Sequence, residues 1–288
     1  MTHTYRAYAK INLLLSITGK LPNGYHSVAM INQSIGLYDT ITVEQTVQPG
    51  IVITCNVPGI PTNKRNIVHK ACQAFGIVDG LHIHIEKRIP SEAGLAGGSA
   101  NAAAVLTALR DIHVPGMPDE QLHKIAVTVG ADVPFCLVGG CCFAQGVGEV
   151  LTPLPCLPKD YSIALVKPDF GVSTAAAYAT LDQMDLARPQ TELALSHAKQ
   201  SNWPEVFPLC ANVFEQAVDF PGLVLAKQQA LQHGAALVQM TGSGSAVFAV
   251  FRAQDTTENI SQTLGVLGEF VGIFRPVLFG VEKITLPL

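Results

Sequence analysis

Short apolar runs separated by turn residues recur along the first part of the chain and predict strands. Residues 8–17, YAKINLLLSI, predict a buried strand. The turn Leu21-Pro22-Asn23-Gly24 predicts a hairpin whose second strand runs from Ser27 to Leu37. We expect further strands at 40–44, 51–55 and 81–86, and Asn66 is the candidate N-cap of a helix over 67–75. The pattern indicates a mixed α+β fold.

A glycine-rich stretch leads into an alanine-rich helix between Ile89 and Ala104. This helix is predicted over 99–112, and a second helix, capped by Asp119, is predicted to stop at Gly130. Glycines let the backbone approach a ligand closely, and the free N–H groups and dipole of a helix start attract an anion. The stretch therefore predicts a phosphate site, although a serine cap and tight packing would explain the same residues without a ligand.

Three prolines, at 153, 155 and 158, mark a predicted domain boundary, because neither a helix nor a central strand tolerates them well. Beyond the boundary the pattern predicts a small β-α-β sandwich. Its predicted strands are 161–166, 236–239 and 247–251. One helix is predicted to begin near Thr174, and two more are predicted near 211–218 and 223–233, the last ending at Gly234. A final helix and further strands are predicted to complete the chain.

Composition narrows the class of protein. Hydrophobic residues make up 48% of the 288 residues and charged residues 14%, which is typical of a globular chain with a large core. We see neither a signal segment nor an apolar run of the ~18 residues that a membrane span requires, so we expect a cytoplasmic protein. The seven cysteines are an odd number without a C-x-x-C pair and are expected to be buried thiols in a reducing compartment. The net charge of −4 argues against nucleic-acid binding.

Several motifs of large enzyme classes are missing from the sequence. There is no G-x-x-x-x-G-K-[ST] phosphate loop and no G-x-G-x-x-G opening a helix after a strand. The H-R-D string of protein kinases and the G-x-S-x-G elbow of esterases are also missing. A phosphate site at the glycine-rich stretch would therefore be of another kind.

Two charged residues stand where a charge needs an explanation. Lys10 interrupts an apolar strand, where it either reaches water at an edge or meets an anion. Asp132 precedes a short predicted helix, and capping alone would explain it. Each plain interpretation is the better one as long as nothing brings the two residues together.

Three further groups of residues can be explained either by the fold alone or by binding of a ligand. His82, His84 and Glu86 share one strand face and could bind zinc, but a solvated polar face explains them more simply. The pair Tyr25-His26 fits either an ordinary loop or a ring and an imidazole presented to a planar ligand. The second glycine loop, 241–245, suits a phosphate or a tight hairpin.

Taken together, these segments resemble the GHMP kinase superfamily of galactokinase, homoserine kinase and mevalonate kinase. Its phosphate loop, P-x-x-x-G-L-x-[GS]-[GS]-[SA]-x-x, matches Pro90 to Asn101. The blocks at 9–13, 19–26, 130–135 and 240–245 narrow the resemblance to the kinases that act on a cytidine diphosphate derivative of methylerythritol in non-mevalonate isoprenoid synthesis. The matching blocks occur in the expected order along most of the chain.

The resemblance implies a two-domain α+β fold. It predicts an N-terminal nucleotide-binding and catalytic domain over 1–156, of the ribosomal S5 domain 2-like type, and a C-terminal ferredoxin-like α/β sandwich over 157–288. The implied reaction is phosphorylation of the 2-hydroxyl group of the methylerythritol moiety by ATP with Mg²⁺. Asp132 matches the base that accepts the hydroxyl proton, and Lys10 matches the cation beside it.

The resemblance also assigns the binding residues. For the substrate these are Asn12, Gly242, Ser243 and the stacking and edge-reading pair Tyr25 and His26, with Tyr178 as the opposing ring. The predicted contacts of ATP are Pro90, Ser91, Glu92, Ala93, Gly94, Leu95, Ala96, Gly97, Gly98, Ser99, Ala100 and Asn101, joined by Asn66 and Lys87. Ser99 is the candidate hydroxyl for Mg²⁺ or phosphate. Glu92 departs from the family pattern, because its charge would repel a triphosphate unless the side chain points to solvent.

Three other functions remain open at this point. A sister kinase for homoserine or mevalonate would leave Tyr25 and His26 unexplained, and a substrate panel separates it. A nucleotide-binding regulator without catalysis would need neither Lys10 nor Asp132. A zinc hydrolase at His82, His84 and Glu86 would contain stoichiometric zinc. The expected partners are small molecules, without an obligate protein partner.

Overall fold

Two β-sheets organise the protein in a computed structural model that describes residues 2–22, 24–252, 260 and 264–284. The first sheet has the order β11-β1-β2-β4-β3, and β5 continues it from the other half of β2 and pairs with β6. Its strands are β1 (Thr2–Lys20), β2 (His26–Gln45), β3 (Ile51–Cys55), β4 (Leu81–Glu86), β5 (Cys141–Gln145), β6 (Val150–Leu154) and β11 (Val281–Ile284).

The hairpin of β1 and β2 is longer than the sequence pattern predicts. Separate strands at 27–37 and 40–44 were expected, but β2 is one strand of 20 residues. It remains continuous because its two ends pair with different strands. Residues 30–33 pair with β5, and residues 40–45 pair with β4. Asp39, of a residue type that strands usually avoid, is buried inside β2. Asn23, in the predicted turn, lies outside the described residues.

The helices of the first half pack around one central helix, α2, whose alanine-rich side is buried. They are α1 (Ile67–Phe75), α2 (Gly97–His113), α3 (Asp119–Val129) and α4 (Val133–Val138). Asn66 caps α1 as predicted, because its side chain accepts the N–H of Val68. The predicted start of α2 at residue 99 is two residues late. The predicted cap of α3 by Asp119 is wrong, since Pro118 holds that position and Asp119 pairs with Arg110.

The second half forms an antiparallel sheet of order β10-β7-β9-β8 with short helices beside it. This arrangement confirms the predicted sandwich, except that the expected helix near 211–218 is a single 3-10 turn at 213–216. The strands are β7 (Tyr161–Lys167), β8 (Leu237–Met240), β9 (Val247–Arg252) and β10 (Glu269–Phe274), and the helices are α5 (Thr174–Leu181), α6 (Thr191–Lys199), α7 (Trp203–Val206), two 3-10 turns (Phe207–Leu209 and Val213–Gln216) and α8 (Leu223–Gln232).

The chain passes from the first sheet to the second between β6 and β7, around the three prolines. Pro153 is tolerated inside β6 because that strand pairs on one side only, with β5. The proposed division at 156/157 stays a prediction, and β11 returns from the second half to pair with β1. The final helix is predicted without bounds, and residues 253–259 and 261–263, between β9 and β10, lie outside the described residues.

All seven cysteines, each within the described ranges, are free thiols, and four of them are buried. Among the described residues, no helix has both the length and the apolar composition needed to cross a membrane.

Candidate active site

The glycine-rich loop between β4 and α2 has an unusual backbone. Glu92, Gly94 and Ala96 all adopt left-handed conformations, with φ of 52°, 72° and 57°. Glycine adopts this conformation freely, whereas each non-glycine residue pays about 1–2 kcal/mol for it. The surrounding structure must therefore hold the loop in this shape.

The helix α2 begins directly after this loop. The N-cap position is Ala96, so in the described structure no side chain caps the helix, and Ser99 lies inside its first turn. The plain interpretation of a serine cap is therefore wrong. The first N–H groups of a helix lack intrahelical acceptors and carry the positive end of the dipole. They are available to an anion bound at the loop.

A cavity of about 410 Å³ surrounds the loop and the start of α2. Asn101 lines it, is only 4% exposed, and its side-chain oxygen finds no hydrogen-bond donor in the described part of the chain. A buried acceptor without a donor costs about 1–3 kcal/mol, so this oxygen is an unsatisfied polar atom beside the cavity. The cavity is lined by Ile60, Pro61, Arg65, Asn66, Ile67, Lys87, Pro90, Ser91, Glu92, Ala93, Gly94, Leu95, Ala96, Gly97, Gly98 and Asn101.

Two predicted nucleotide contacts line this cavity but also hold the protein together. Asn66 uses its oxygen to cap α1 and its amide nitrogen to bind Pro61 O at 2.6 Å. Lys87 donates to the buried carboxylate of Asp39 at 2.5 Å. A Cβ atom on Gly97 would come within 2.9 Å of Lys87 Nζ, so the ammonium group lies beside the first residue of α2.

A larger cavity of about 1010 Å³ contains both Lys10 and Asp132. Its wall includes Glu92, Gly94 and Ala96, which also line the smaller cavity, so the phosphate loop separates the two spaces. The structure therefore brings the predicted cation, the predicted base and the phosphate loop together.

Asp132 occupies the N-cap position of α4 without capping it, since its side chain accepts no described N–H group of that helix. A capping side chain bonds to the N–H of the second or third helical residue, and the second residue here is Pro134, which has none. The interpretation that capping alone explains Asp132 is therefore wrong. Asp132 lines the larger cavity instead.

Lys10 is 4% exposed, so it is not an edge lysine reaching water. A register shift between Tyr8 and Lys10 interrupts the pairing of β1 with β2, and the N–H of Lys10 donates to Leu95 O of the phosphate loop at 3.2 Å. The ammonium group donates to Asn12 Oδ1 at 2.8 Å. Lys10 is thus fixed at both its backbone and its side chain.

Asn12 is fully buried behind Lys10 and is not part of the cavity wall. Its oxygen accepts from Lys10 and from the N–H of Gly242 at 2.7 Å, and its amide nitrogen donates to Asn32 Oδ1 at 2.7 Å. In this conformation Asn12 holds the cation. Its predicted contact with the substrate remains a prediction.

Thr241 joins the two halves of the protein at the site, a role that sequence reasoning missed. Its hydroxyl accepts the N–H of Asn12 at 3.1 Å and lies 3.3 Å from Gly94 O. A Cβ atom on Gly94 would lie 2.0 Å from Thr241 O, so glycine is required where these backbones meet. The signal in the sequence was the second glycine loop, which alone was weak.

Gly242 and Ser243 line the larger cavity, and Gly242 packs directly against Gly94 of the phosphate loop. The hydroxyl of Ser243 is 2.7 Å from that of Thr174, which fixes it near the start of α5. Both predicted residues thus line the same cavity as Lys10 and Asp132, while their contact with a substrate remains a prediction.

His26 and Tyr178 stack on each other in the wall of the larger cavity. Their ring centroids are 4.4 Å apart with 12° between the planes, so no gap is left for a base between them. Asp182 holds His26 over Tyr178 through a 2.6 Å contact with Nε2. The role of Tyr178 as the ring opposing Tyr25 across a bound base stays a prediction. Tyr25 lines the same region and is 64% exposed.

Burial and charge perturb two ionisable groups around the cavity. Burial raises the pKa of Tyr178 to about 12, and the negative charge of Asp132 adds to this shift. Burial also lowers the pKa of Lys167, an effect opposed by the charge of Glu92. Glu92 is exposed, its carboxylate lies against Gly171, and the residue lines both cavities.

His82, His84 and Glu86 lie outside both cavities. Alternate residues of β4 are buried and half-buried, as predicted for a strand with one polar face. Both histidine rings contact the hydroxyl of Thr54, at 3.2 and 2.9 Å. No group of three potential metal ligands occurs among the described residues.

Comparison with protein families gives two matches on this chain. The family described as GHMP kinases N terminal domain matches residues 64–140, which include the phosphate loop and Asp132. The family described as GHMP kinases C terminal matches residues 185–265.

Curated relatives match most of the chain. A 4-diphosphocytidyl-2-C-methyl-D-erythritol kinase of Lachnoclostridium phytofermentans is 43% identical over 260 residues, which cover 88% of this chain and 89% of the relative. The kinase of the same name from Clostridium acetobutylicum is 43% identical over 253 residues, covering 85% of this chain and 90% of the relative.

Solved structures have the same fold. A crystal structure of a 4-(cytidine 5'-diphospho)-2C-methyl-D-erythritol kinase matches with a TM-score of 0.75 at 30% identity, covering 95% of this chain and 98% of that one. The homoserine kinase of Cytophaga hutchinsonii matches with a TM-score of 0.77 at 18% identity, covering 98% of this chain and 97% of that one. The second match shows the fold alone.

Proposed function

Because this chain belongs to the GHMP kinase family, we propose that it transfers the γ-phosphoryl group of ATP to the 2-hydroxyl group of 4-diphosphocytidyl-2-C-methyl-D-erythritol. The product is the 2-phosphate, an intermediate of non-mevalonate isoprenoid synthesis. The identity of 43% to a curated kinase of this name, over most of both chains, supports the choice of acceptor.

The observation that carries the proposal is the position of Lys10 and Asp132 in a cavity that shares a wall with the phosphate loop. An acceptor hydroxyl beside Asp132 would face a phosphate held at the start of α2. Phosphoryl transfer depends mainly on positioning and on electrostatic stabilisation, so a base, a cation and a row of N–H donors are the parts that it requires.

Asp132 is the general base of the proposed reaction. It takes the proton of the 2-hydroxyl group while that oxygen forms a bond to the γ-phosphorus, and the bond from phosphorus to the bridging oxygen breaks to release ADP. Lys10 lies at the same cavity, and its positive charge stabilises the negative charge that develops on the acceptor oxygen. Asn12 holds Lys10 in place through the 2.8 Å hydrogen bond.

The smaller cavity is the proposed nucleotide site. Bound ATP would supply the phosphoryl group, and Mg²⁺ bound with it would offset the negative charge of the triphosphate. The uncapped N–H groups of α2 and the ammonium group of Lys87 would hold the phosphates, with Ser99 as the nearby hydroxyl. The unpartnered oxygen of Asn101 would accept a hydrogen bond from the nucleotide.

The aromatic part of the larger cavity wall supports this acceptor over homoserine or mevalonate. A smaller acceptor would leave Tyr25 and His26 without a role, whereas the base of a cytidine diphosphate substrate would use them. The fold itself does not discriminate, since a homoserine kinase matches it at 18% identity. With its free thiols, we place the enzyme in the cytoplasm.

A coupled ADP-release assay tests the proposal. The wild-type protein with ATP and Mg²⁺ should turn over the cytidine diphosphate substrate and neither homoserine nor mevalonate. Asp132→Asn should lower kcat by about 10²–10⁴-fold, which is the usual contribution of a general base, while ATP binding by calorimetry stays the same. Asp119→Asn, with a carboxylate whose side chain is 97% exposed and lies outside both cavities, is the matched control and should behave like the wild type.

Two results would overturn the proposal. Full turnover by Asp132→Asn would refute the assignment of Asp132 as the general base. Turnover of homoserine or mevalonate by folded wild-type protein, without turnover of the cytidine substrate, would show that the proposed acceptor is wrong.

A further inference from the structure

We infer that Asp182 is a positioning residue for base recognition, which holds His26 so that its Nδ1 atom is a hydrogen-bond acceptor toward the base of the nucleotide-linked substrate. The inference rests on the proposed function, because it concerns how that substrate's cytosine is distinguished from uracil. Asp182 itself does not line the cavity; it acts through His26, which does.

Asp182 connects the β1–β2 hairpin to the end of α5. One carboxylate oxygen contacts His26 Nε2 at 2.6 Å, and the other accepts a hydrogen bond from Lys20. The hydrogen bonds from Lys20 and then from His26 keep the pKa of Asp182 below its usual value, so the group is a carboxylate at neutral pH. A single side chain thus ties two residues of the hairpin to one helix end.

The position of Asp182 on the helix also fixes the imidazole plane. Tyr178 and Asp182 are four residues apart at the end of α5, so their side chains lie on the same face. The ring of Tyr178 stacks on one face of the His26 ring, with 4.4 Å between the centroids, while Asp182 contacts Nε2 at the ring edge. Phe214 in turn packs edge-on against Tyr178 at 4.9 Å. The imidazole therefore has a defined plane and a defined rotation within that plane.

The chemistry of the contact decides which nitrogen of His26 carries the proton. A carboxylate only accepts hydrogen bonds, so Nε2 must carry its hydrogen. In the neutral imidazole the lone pair is then on Nδ1. This atom makes no hydrogen bond to the described residues, and it is not among their fully buried unpartnered atoms. Nδ1 is the polar atom that the ring has left for a ligand.

An acceptor at this place distinguishes two pyrimidines. Cytosine has an amino group, a donor, at the position where uracil has a carbonyl oxygen, an acceptor. The amino group would donate to Nδ1, whereas the uracil oxygen would face a second acceptor and leave both without a proton. The fixed tautomer thus gives preference for a cytidine nucleotide without a charged contact to the base.

The protonation state is measured directly by nitrogen-15 NMR of the imidazole groups in the ligand-free protein at pH 8, with His26→Gln to assign the signals. We expect His26 to be protonated at Nε2 and unprotonated at Nδ1. In Asp182→Asn, whose amide both donates and accepts, both tautomers should become populated. Asp185→Asn, an equal change of charge on an exposed residue three positions away, should retain the wild-type signals.

The consequence for recognition is measured by calorimetry with cytidine 5′-diphosphate and uridine 5′-diphosphate, neither of which needs turnover. The wild type and Asp185→Asn should bind the cytidine compound at least about ten-fold more tightly, since one lost hydrogen bond of this kind is worth roughly a factor of ten. Asp182→Asn should reduce this ratio by about ten-fold. In the kinase assay it should raise KM for the cytidine substrate while kcat and KM for ATP stay constant.

A protonated Nδ1 in the wild type, or an unchanged cytidine-to-uridine ratio in Asp182→Asn, would overturn the inference. Neither result would affect the assignment of Asp132, which the ADP-release assay tests. Conversely, wild-type protein that binds cytidine diphosphate selectively but does not release ADP would retain the role of Asp182 and refute the proposed function.

Discussion

Removing the carboxylate of Asp39 should destabilise the protein strongly, because three donors depend on it. Asp39 is fully buried, and its Oδ2 atom pairs with Lys87 at 2.5 Å. Its Oδ1 atom accepts the N–H groups of Arg88 at 2.7 Å and Ile89 at 2.8 Å. These residues lead directly into the phosphate loop, so the carboxylate anchors the start of that loop to β2.

The magnitude follows from what Asp39→Ala leaves behind. Deleting one partner of a buried ion pair costs about 3–5 kcal/mol, and each buried N–H group that loses its acceptor costs about 1–3 kcal/mol. Since water entering the vacated space would relieve part of this cost, we expect a loss of about 4–6 kcal/mol. That is a large share of the about 5–15 kcal/mol by which native proteins are stable.

Two further variants separate the charge from the hydrogen bonds. Asp39→Asn keeps an oxygen for the two N–H groups and should lose about 3 kcal/mol, for the unpaired ammonium group alone. The double variant Asp39→Asn with Lys87→Met removes both charges and keeps that oxygen. It should therefore be more stable than either single variant and come within about 1.5 kcal/mol of the wild type.

Urea unfolding is the assay, followed by far-ultraviolet circular dichroism and by fluorescence of Trp203, the only tryptophan of the chain and 1% exposed. Coincidence of the two transitions justifies a two-state free energy. Asp119→Ala, at an exposed ion pair, is the control and should cost at most about 0.5 kcal/mol. The reasoning is refuted if Asp39→Ala stays within about 1 kcal/mol of the wild type, or if the double variant is no better than the single ones.

Two other predictions concern the loop and the thiols. Gly94→Ala places a Cβ atom 2.0 Å from Thr241 O and should lower kcat by about 10²-fold through displacement of the loop, whereas Gly116→Ala, with nothing within 4 Å, should leave kcat unchanged in the ADP-release assay. Burial raises the pKa of Cys142 to about 11 and those of Cys72 and Cys210 to about 12, so their reactive thiolates are scarce at pH 8. A thiol reagent should therefore label these three cysteines slowly in the folded protein and faster at pH 10, as measured by mass spectrometry of peptides; rapid labelling at pH 8 would contradict this explanation.

The sequence predicts those parts of the site that depend on neighbouring residues. The phosphate loop is recognisable because its glycines and the alanine-rich helix are adjacent in the chain, and Asn66 is recognisable as a cap because capping is a local interaction. The blocks around Lys10 and Asp132 were found through family resemblance, and the structure then brought them to one cavity.

The parts that were missed depend on contacts between distant residues. Thr241 and Asn12 are 229 positions apart, Asp182 and His26 are 156 apart, and Lys87 and Asp39 are 48 apart. Hydrophobic periodicity identifies elements without showing which elements become neighbours, so none of these partners has a signal of its own. The continuity of β2 was missed for the same reason, since it depends on pairing with both β4 and β5.

Asp132 shows how a local rule can fail in an informative way. An aspartate at an N-cap usually gives its oxygens to the helix, and this one does not, because Pro134 removes one of the two N–H groups that it could bind. A carboxylate freed from capping and lining a cavity is available for proton transfer, and Lys10 is turned to the same cavity by a break in strand pairing and by Asn12. The combination D-x-P at a helix start is therefore a local signal against the capping interpretation of Asp132. The position of Asp132 in the same cavity as Lys10 depends on the fold and has no such signal in the sequence.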